Sequence, residues 1–79
     1  MRLDKFLKVS RLIKRRTIAN EACDAGRVKL NDKVARASAD VKAGDIIEIT
    51  FGNKTVKARI KDVKETIHKE DAAEMVEFL

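Results

Sequence analysis

The stretch Ala25-Gly26-Arg27-Val28-Lys29-Leu30-Asn31-Asp32 holds the change of period on which the fold turns. Before it, apolar residues recur at helical spacing; after it, they alternate. Gly26 stands where a helix C-terminus favours a residue of positive φ. Beyond it Val28 and Leu30 alternate with Arg27 and Lys29, the pattern of a half-buried strand. Asn31-Asp32 is a turn signal, and Val34 resumes the chain.

Upstream, Leu3, Phe6, Leu7 and Ser10 follow i, i+3, i+4, i+7 spacing, which predicts a helix over about residues 3–12. Arg2, Lys5, Lys8 and Arg11 line an adjoining face. The run Lys14-Arg15-Arg16 interrupts the apolar period. Thr17 is the expected N-cap of a second helix reaching about Ala25, with Glu21 expected in its first turn. Ala19, Ala22 and Cys23 form a small-residue stripe on it, which permits close helix approach.

Downstream, residues 35–41 read as an irregular connection and Lys42-Ala43-Gly44-Asp45 as a turn. Ile46–Phe51 is a strand with Ile47, Ile49 and Phe51 on one face. Gly52-Asn53 joins it to a second strand over 55–63, so residues 46–63 form a β-hairpin. Ala72, Met75, Val76 and Leu79 share helical spacing, and a short terminal helix is expected over about 70–79. The order helix, helix, strand, strand, strand, helix predicts one α+β domain over residues 1–79. In it two N-terminal helices pack on a small, twisted, mostly antiparallel sheet, with a short C-terminal helix.

The bulk numbers narrow the function. With 79 residues, the chain has room for one small core and little room for a deep enclosed pocket. One cysteine, Cys23, excludes an internal disulfide framework and a multi-cysteine zinc site. No apolar run approaches the ~18–20 residues of a membrane span. Asp4 and repeated bases stand where a signal peptide needs an apolar stretch, so a soluble cytoplasmic protein without membrane contact is expected. Residues 1–36 carry 11 of the 18 Lys and Arg but only four of the 13 Asp and Glu, a net +7, which leaves −2 for the remainder. A domain cationic at one end attracts a polyanion, and phosphate is the commonest such partner.

Little points to catalysis. Cys23 falls on the small-residue face of the second helix, as a core thiol would, and His68 has no second ligand at metal spacing. Gly26, Gly44 and Gly52 are too dispersed for a phosphate-cradling loop. No enzyme activity, metal or cofactor is expected. The bases come from three segments: the first helix, the loop 14–16, and Arg27, Lys29 and Asn31 along the first strand. Arg suits bidentate phosphate contacts and Lys acts as a point charge. With no Tyr, no Trp and three Phe, a stacking platform for single strands is disfavoured. Shape- and phosphate-led binding of folded RNA is favoured.

The elements Arg2-Leu3-Asp4-Lys5-Phe6-Leu7, Lys14-Arg15-Arg16-Thr17, residues 25–32 and residues 41–49 together resemble the RNA-binding domain first known from small-subunit ribosomal protein four, the alpha-L motif. The resemblance covers about residues 1–50. It implies two helices on a small twisted sheet and binding of structured RNA through the helical face. At this length the chain resembles the ribosome-associated quality control factor P family, and more distantly the heat-shock ribosome-recycling proteins. The acidic segment 70–79 favours the former. That resemblance implies binding to an obstructed large ribosomal subunit, with contacts to large-subunit rRNA and to peptidyl-tRNA. It implies that the tRNA is held in the P site while an alanine-tailing quality control factor extends the stalled chain.

The family's RNA-contacting positions fall on Arg2, Lys5, Lys8, Arg11, Arg15, Arg16, Arg27 and Lys29. Asp4 matches a family acid; the equal alternative for it is a structural role, pairing with Arg16 or Arg15 and orienting that side chain. Lys57, Arg59 and Lys61 share one face of the second hairpin strand, where a solvated surface is the simpler reading. The competing expectations are a heat-shock-type recycling factor or general structured-RNA binder, a helix-turn-helix DNA regulator built on residues 3–25, and a protein-docking role for residues 70–79. The small core and the lack of a spare apolar face predict a monomer.

Overall fold

The computed structural model describes residues 1–63, 72 and 74–79. Two helices, α1 (Leu3–Val9) and α2 (Arg16–Asp24), lead into β1 (Val28–Leu30), β2 (Lys33–Val34), β3 (Ile46–Phe51), β4 (Lys54–Ile60) and β5 (Val76–Phe78). The strands form one antiparallel sheet of order β2-β1-β3-β4-β5. Both helices pack on one sheet face: Leu3, Phe6, Leu7, Ala19 and Cys23 share a core with Val28, Ile47, Ile49, Ala58 and Ile60. The α+β class and the helix pair on a small sheet agree with the expectation.

Several local expectations change. α1 stops at Val9, not near residue 12, with Ser10 as C-cap. Arg11 takes φ 64°, and the Ile13 N–H donates to the Leu7 carbonyl at 3.0 Å. This reversal carries Ile13 back into the core, where it is buried; one more helical turn would have pointed it elsewhere. α2 starts at Arg16 with Arg15 as N-cap and no side-chain cap, so Thr17 lies inside the helix and Glu21 beyond its first turn. The other end follows the expectation. Gly26 has φ 77°, its N–H reaches the Cys23 carbonyl, and the Arg27 N–H reaches that of Ala22, which is the paired closure of a Schellman motif.

The turn after β1 is built by Asn31 and Asp32, both at positive φ, as a tight two-residue hairpin requires. Asn31 also ties two turns together: its amide donates to Asp45 at 3.1 Å and its oxygen accepts from the Ile46 N–H at 2.9 Å. Asp45 is buried and accepts from the Lys42 N–H at 3.0 Å. Asn31 and Asp45 therefore hold the sheet together rather than face a ligand.

The terminal helix expected over 70–79 is replaced, at its end, by β5. Ala58, Arg59 and Ile60 pair with Phe78, Glu77 and Val76. Helical spacing at 72, 75, 76 and 79 was a coincidence of a short segment. The free edge of β4 offers backbone partners, and pairing there buries Val76 beside Ile60 while Glu77 faces water. The first part of the expected helix, and His68, lie outside the described residues. The hairpin itself is as expected, though β4 ends at Ile60.

The segment between β2 and β3 is irregular, and its carbonyls have a use. Those of Ala37 and Ala39 accept the N–H groups of Asp4 and Leu3 at 3.1 and 2.7 Å. They satisfy donors that the first turn of α1 leaves without helical partners. This fixes the start of α1, and with it Arg2 and Asp4.

Candidate nucleic-acid interface

Asp4 is the hub of the helical end. It is only 2% exposed, so its charge requires partners, and four polar groups supply them through five hydrogen bonds. Arg2 grips it as a fork, Nε to Oδ1 at 3.2 Å and Nη2 to Oδ2 at 3.3 Å. Its neighbour's backbone N–H, that of Lys5, donates to Oδ1 at 2.8 Å. Arg16 approaches both oxygens at 3.5 Å, and the Asn20 amide donates to Oδ2 at 3.2 Å. Burial pushes the carboxyl pKa up, but the Asn20 amide, the Lys5 N–H and Arg16 outweigh it and hold it below the ordinary value.

The arrangement resolves a conflict in α2. Arg16 occupies the first turn, where the positive end of the helix dipole opposes a cation. The Asp4 carboxylate, reaching across from α1, offsets that repulsion. Arg2 and Arg16 keep side chains about half exposed, at 50% and 45%. Each guanidinium therefore has one side against Asp4 and N–H donors turned to solvent. Two forks held together in this way match the oxygens of a phosphate backbone. Beside them Asp4, Arg16, Thr17, Asn20 and Glu21 line a hollow of about 340 Å³.

The remaining expected contacts divide. Lys5 follows Asp4 on α1, Lys8 is exposed in its last turn, and Arg11 and Arg15 are exposed in and beside the loop joining the helices. These sit on the helical layer with Arg2 and Arg16. Arg27 is exposed where the chain leaves α2 and lines a separate hollow on that helix's other flank. Lys29 does not join them. Its neighbours Val28 and Leu30 point toward the helices, so Lys29 projects from the opposite sheet face. There it lies in a cross-strand row with Glu48 and Lys57. Convergence of three segments on one face thus holds for α1 and the loop before α2, but not for β1. Asp4 pairs with Arg16, as one of its two expected partners, and also with Arg2; no bond joins it to Arg15 among the described residues.

Asn20 escaped the sequence reading. The signal was there: it lies four residues after Arg16 on α2, hence on the same helical face. Cys23 is the core thiol expected. Burial, then the charges of Asp4 and Asp24, push its pKa up to about 11. Among the described residues there is no cluster of metal-ligating side chains, and no helix is long and apolar enough to cross a membrane.

A helix pair on a small antiparallel sheet, with arginines gathered on a buried aspartate, defines an RNA-binding domain of the S4 class. The sequence matches the S4 domain family over residues 1–47, and the chain belongs to that family. Within it, the chain is similar to proteins named RQC P-site tRNA stabilizing factor. It is 54% identical to that of Bacillus subtilis (strain 168) over 79 residues, all of this chain and 92% of the relative. It is 57% identical to that of Halalkalibacterium halodurans over 77 residues, 98% of this chain and 88% of the relative. Among solved structures, the trimeric Heat Shock Protein 15 of Vibrio cholerae superposes with a TM-score of 0.91 at 25% identity, covering all of this chain and 81% of that one.

Proposed function

We propose that this chain is a non-catalytic ribosome quality control factor that binds the large ribosomal subunit obstructed by peptidyl-tRNA and stabilises the tRNA in the P site. Its ligands on this reading are large-subunit rRNA and the tRNA, and it works in the cytoplasm beside an alanine-tailing factor. The names of relatives similar over nearly the whole chain support the quality control role. The observation that carries RNA binding is Asp4 holding Arg2 and Arg16 side by side with donors facing out. On this reading Arg2, Lys5, Lys8, Arg11, Arg15 and Arg16 make the main phosphate face, and Asp4 and Asn20 position it. Arg27 and Lys29 contact RNA only from other surfaces.

The test is co-sedimentation with large subunits that retain peptidyl-tRNA. Arg16→Ala is expected to abolish it while the circular dichroism spectrum stays that of a folded domain. If about five phosphates are contacted, log K falls with log salt at a slope of about −3.5 to −4.5. Association that ignores salt, or an Arg16→Ala protein that sediments as the wild type does, refutes the reading. A helix-turn-helix role fits less well. The exposed side of α2 carries Glu21 and Asp24 beside Arg16, which opposes entry into a DNA groove.

A further inference from the structure

Phe51 shares its face of β3 with Ile47 and Ile49, both buried. The strand outruns the helices that cover it, and the ring is left 43% exposed. Across the groove α2 presents Ile18, 47% exposed, with Ala22 and Ala25 on the same flank. Between them lies a hollow of about 240 Å³. That is below the ~300–1,000 Å³ of a pocket for a drug-sized ligand, and suits one flat ring system.

Cations frame it. Arg27 lines the hollow, fixed there because its carbonyl accepts the Thr50 N–H at 2.9 Å. Lys54 is the cross-strand partner of Phe51 and so projects on the same side of the sheet. Thr50 and Glu21 add polar atoms at the wall. Glu21 also lines the hollow beside Arg16 and Asn20, so the two depressions flank the same part of α2. An exposed aromatic ring between an arginine and a lysine, on the flank of α2 opposite the phosphate-binding face, has the chemistry of a base-stacking site.

We propose that this hollow receives one unpaired nucleobase, stacked on Phe51 against Ile18, with Arg27 and Lys54 on the flanking phosphates. The proposal rests on the RNA-binding reading and adds a preference for RNA with an extruded base. It reconciles the near absence of aromatic residues with a single stacking contact rather than a platform.

The test compares a blunt RNA duplex with the same duplex carrying one bulged adenosine, by fluorescence anisotropy. Phe51→Leu keeps an apolar side chain but removes the ring. It is expected to weaken binding to the bulged duplex about tenfold and to change binding to the blunt duplex less than about twofold. Arg16→Ala is expected to weaken both. The chain has no Trp, so Phe51→Trp introduces a lone indole whose emission is expected to be quenched by the bulged duplex more than by the blunt one. Equal effects of Phe51→Leu on the two duplexes, or no differential quenching, overturn the proposal while leaving phosphate binding intact. Self-association of the wild type that Phe51→Leu abolishes in sedimentation velocity also overturns it, marking the hollow as a protein contact. If the wild type binds neither duplex, the RNA-binding reading and this proposal fall together.

Discussion

Replacing Asp4 by Asn separates two roles that the carboxylate could have, because they predict opposite signs. The amide is nearly isosteric and keeps an oxygen for the Lys5 N–H at 2.8 Å. It removes the charge that Arg2 and Arg16 share, and sets a new N–H₂ against donors on a site that is 2% exposed. Both guanidiniums are about half exposed, so each pair contributes at most about 1 kcal/mol after solvent screening. The donor facing donor costs about 1 kcal/mol, and the lost charge in the first turn of α1 a few tenths more. With each pair at about half that limit, the sum is about 2 kcal/mol, which lowers Tm by about 8–16 °C for a domain of this size.

RNA affinity is the sharper measurement. Deleting an acid makes the face more positive, so electrostatics alone would tighten binding. If Asp4 holds the two guanidiniums in place, each must instead be ordered on binding, at about 0.5–1.5 kcal/mol per side chain. The dissociation constant then rises about tenfold, measured at a temperature where both proteins are folded. An Asp4→Asn protein that binds structured RNA as tightly as the wild type, or more tightly, refutes the positioning role. The pH dependence gives a second check. The folded pKa of Asp4 is lowered from 3.8, so the unfolded chain binds more protons in the window just below that value. The Asp4 contribution is present above about 3.8 and is lost as pH falls through the folded pKa. The stability gap between wild type and Asp4→Asn should close over that window in acid denaturation.

Three further outcomes are expected. Cys23, buried with its pKa pushed up to about 11, should resist alkylation at pH 8 in the native protein and react at once in denaturant; rapid native labelling would contradict its place in the core. Gly44 has φ 95° and its N–H donates to the Ile60 carbonyl, with open space where a Cβ would stand. Gly44→Ala should therefore cost about 1–2 kcal/mol of backbone strain in urea unfolding without clash. Lys57, Arg59 and Lys61 lie on or beside the solvent face of β4, where Arg59 already meets Glu77 at 3.7 Å. Their joint replacement by Ala should weaken RNA binding less than Arg2→Ala combined with Arg16→Ala in the same anisotropy assay; the reverse order would move the interface to the sheet.

The legible features were those written in local chemistry. Gly26 closes α2 because positive φ is needed where the chain reverses, and Asn31-Asp32 turns because both residues tolerate that conformation. The alternation around Ile47, Ile49, Ala58 and Ile60 marks strands that bury one face. Asp4 was read as an orienting acid from its place among arginines. Less legible were the ends of elements. The N-terminus of α2 has no side-chain cap, and its cation is tolerated only because a buried acid from another helix lies against it. Lys29 shares its segment with Arg27, yet strand pleating sends it to the far side of the sheet.

The sequence by itself determined the class: a small α+β domain, cationic over its first 36 residues, with apolar periods that change at Gly26. These follow from short-range preferences and from the charge of each residue, which need no partner to be known. Tertiary structure alone decided which cations stand together. Arg2, Arg16 and Asn20 meet only because α1 and α2 cross at Asp4, 12 and 16 residues earlier than its partners on α2. It also decided that the C-terminal segment completes the sheet rather than coils. Helical spacing over ten residues is a weak preference, and the free edge of β4 outweighs it by pairing its backbone and burying Val76.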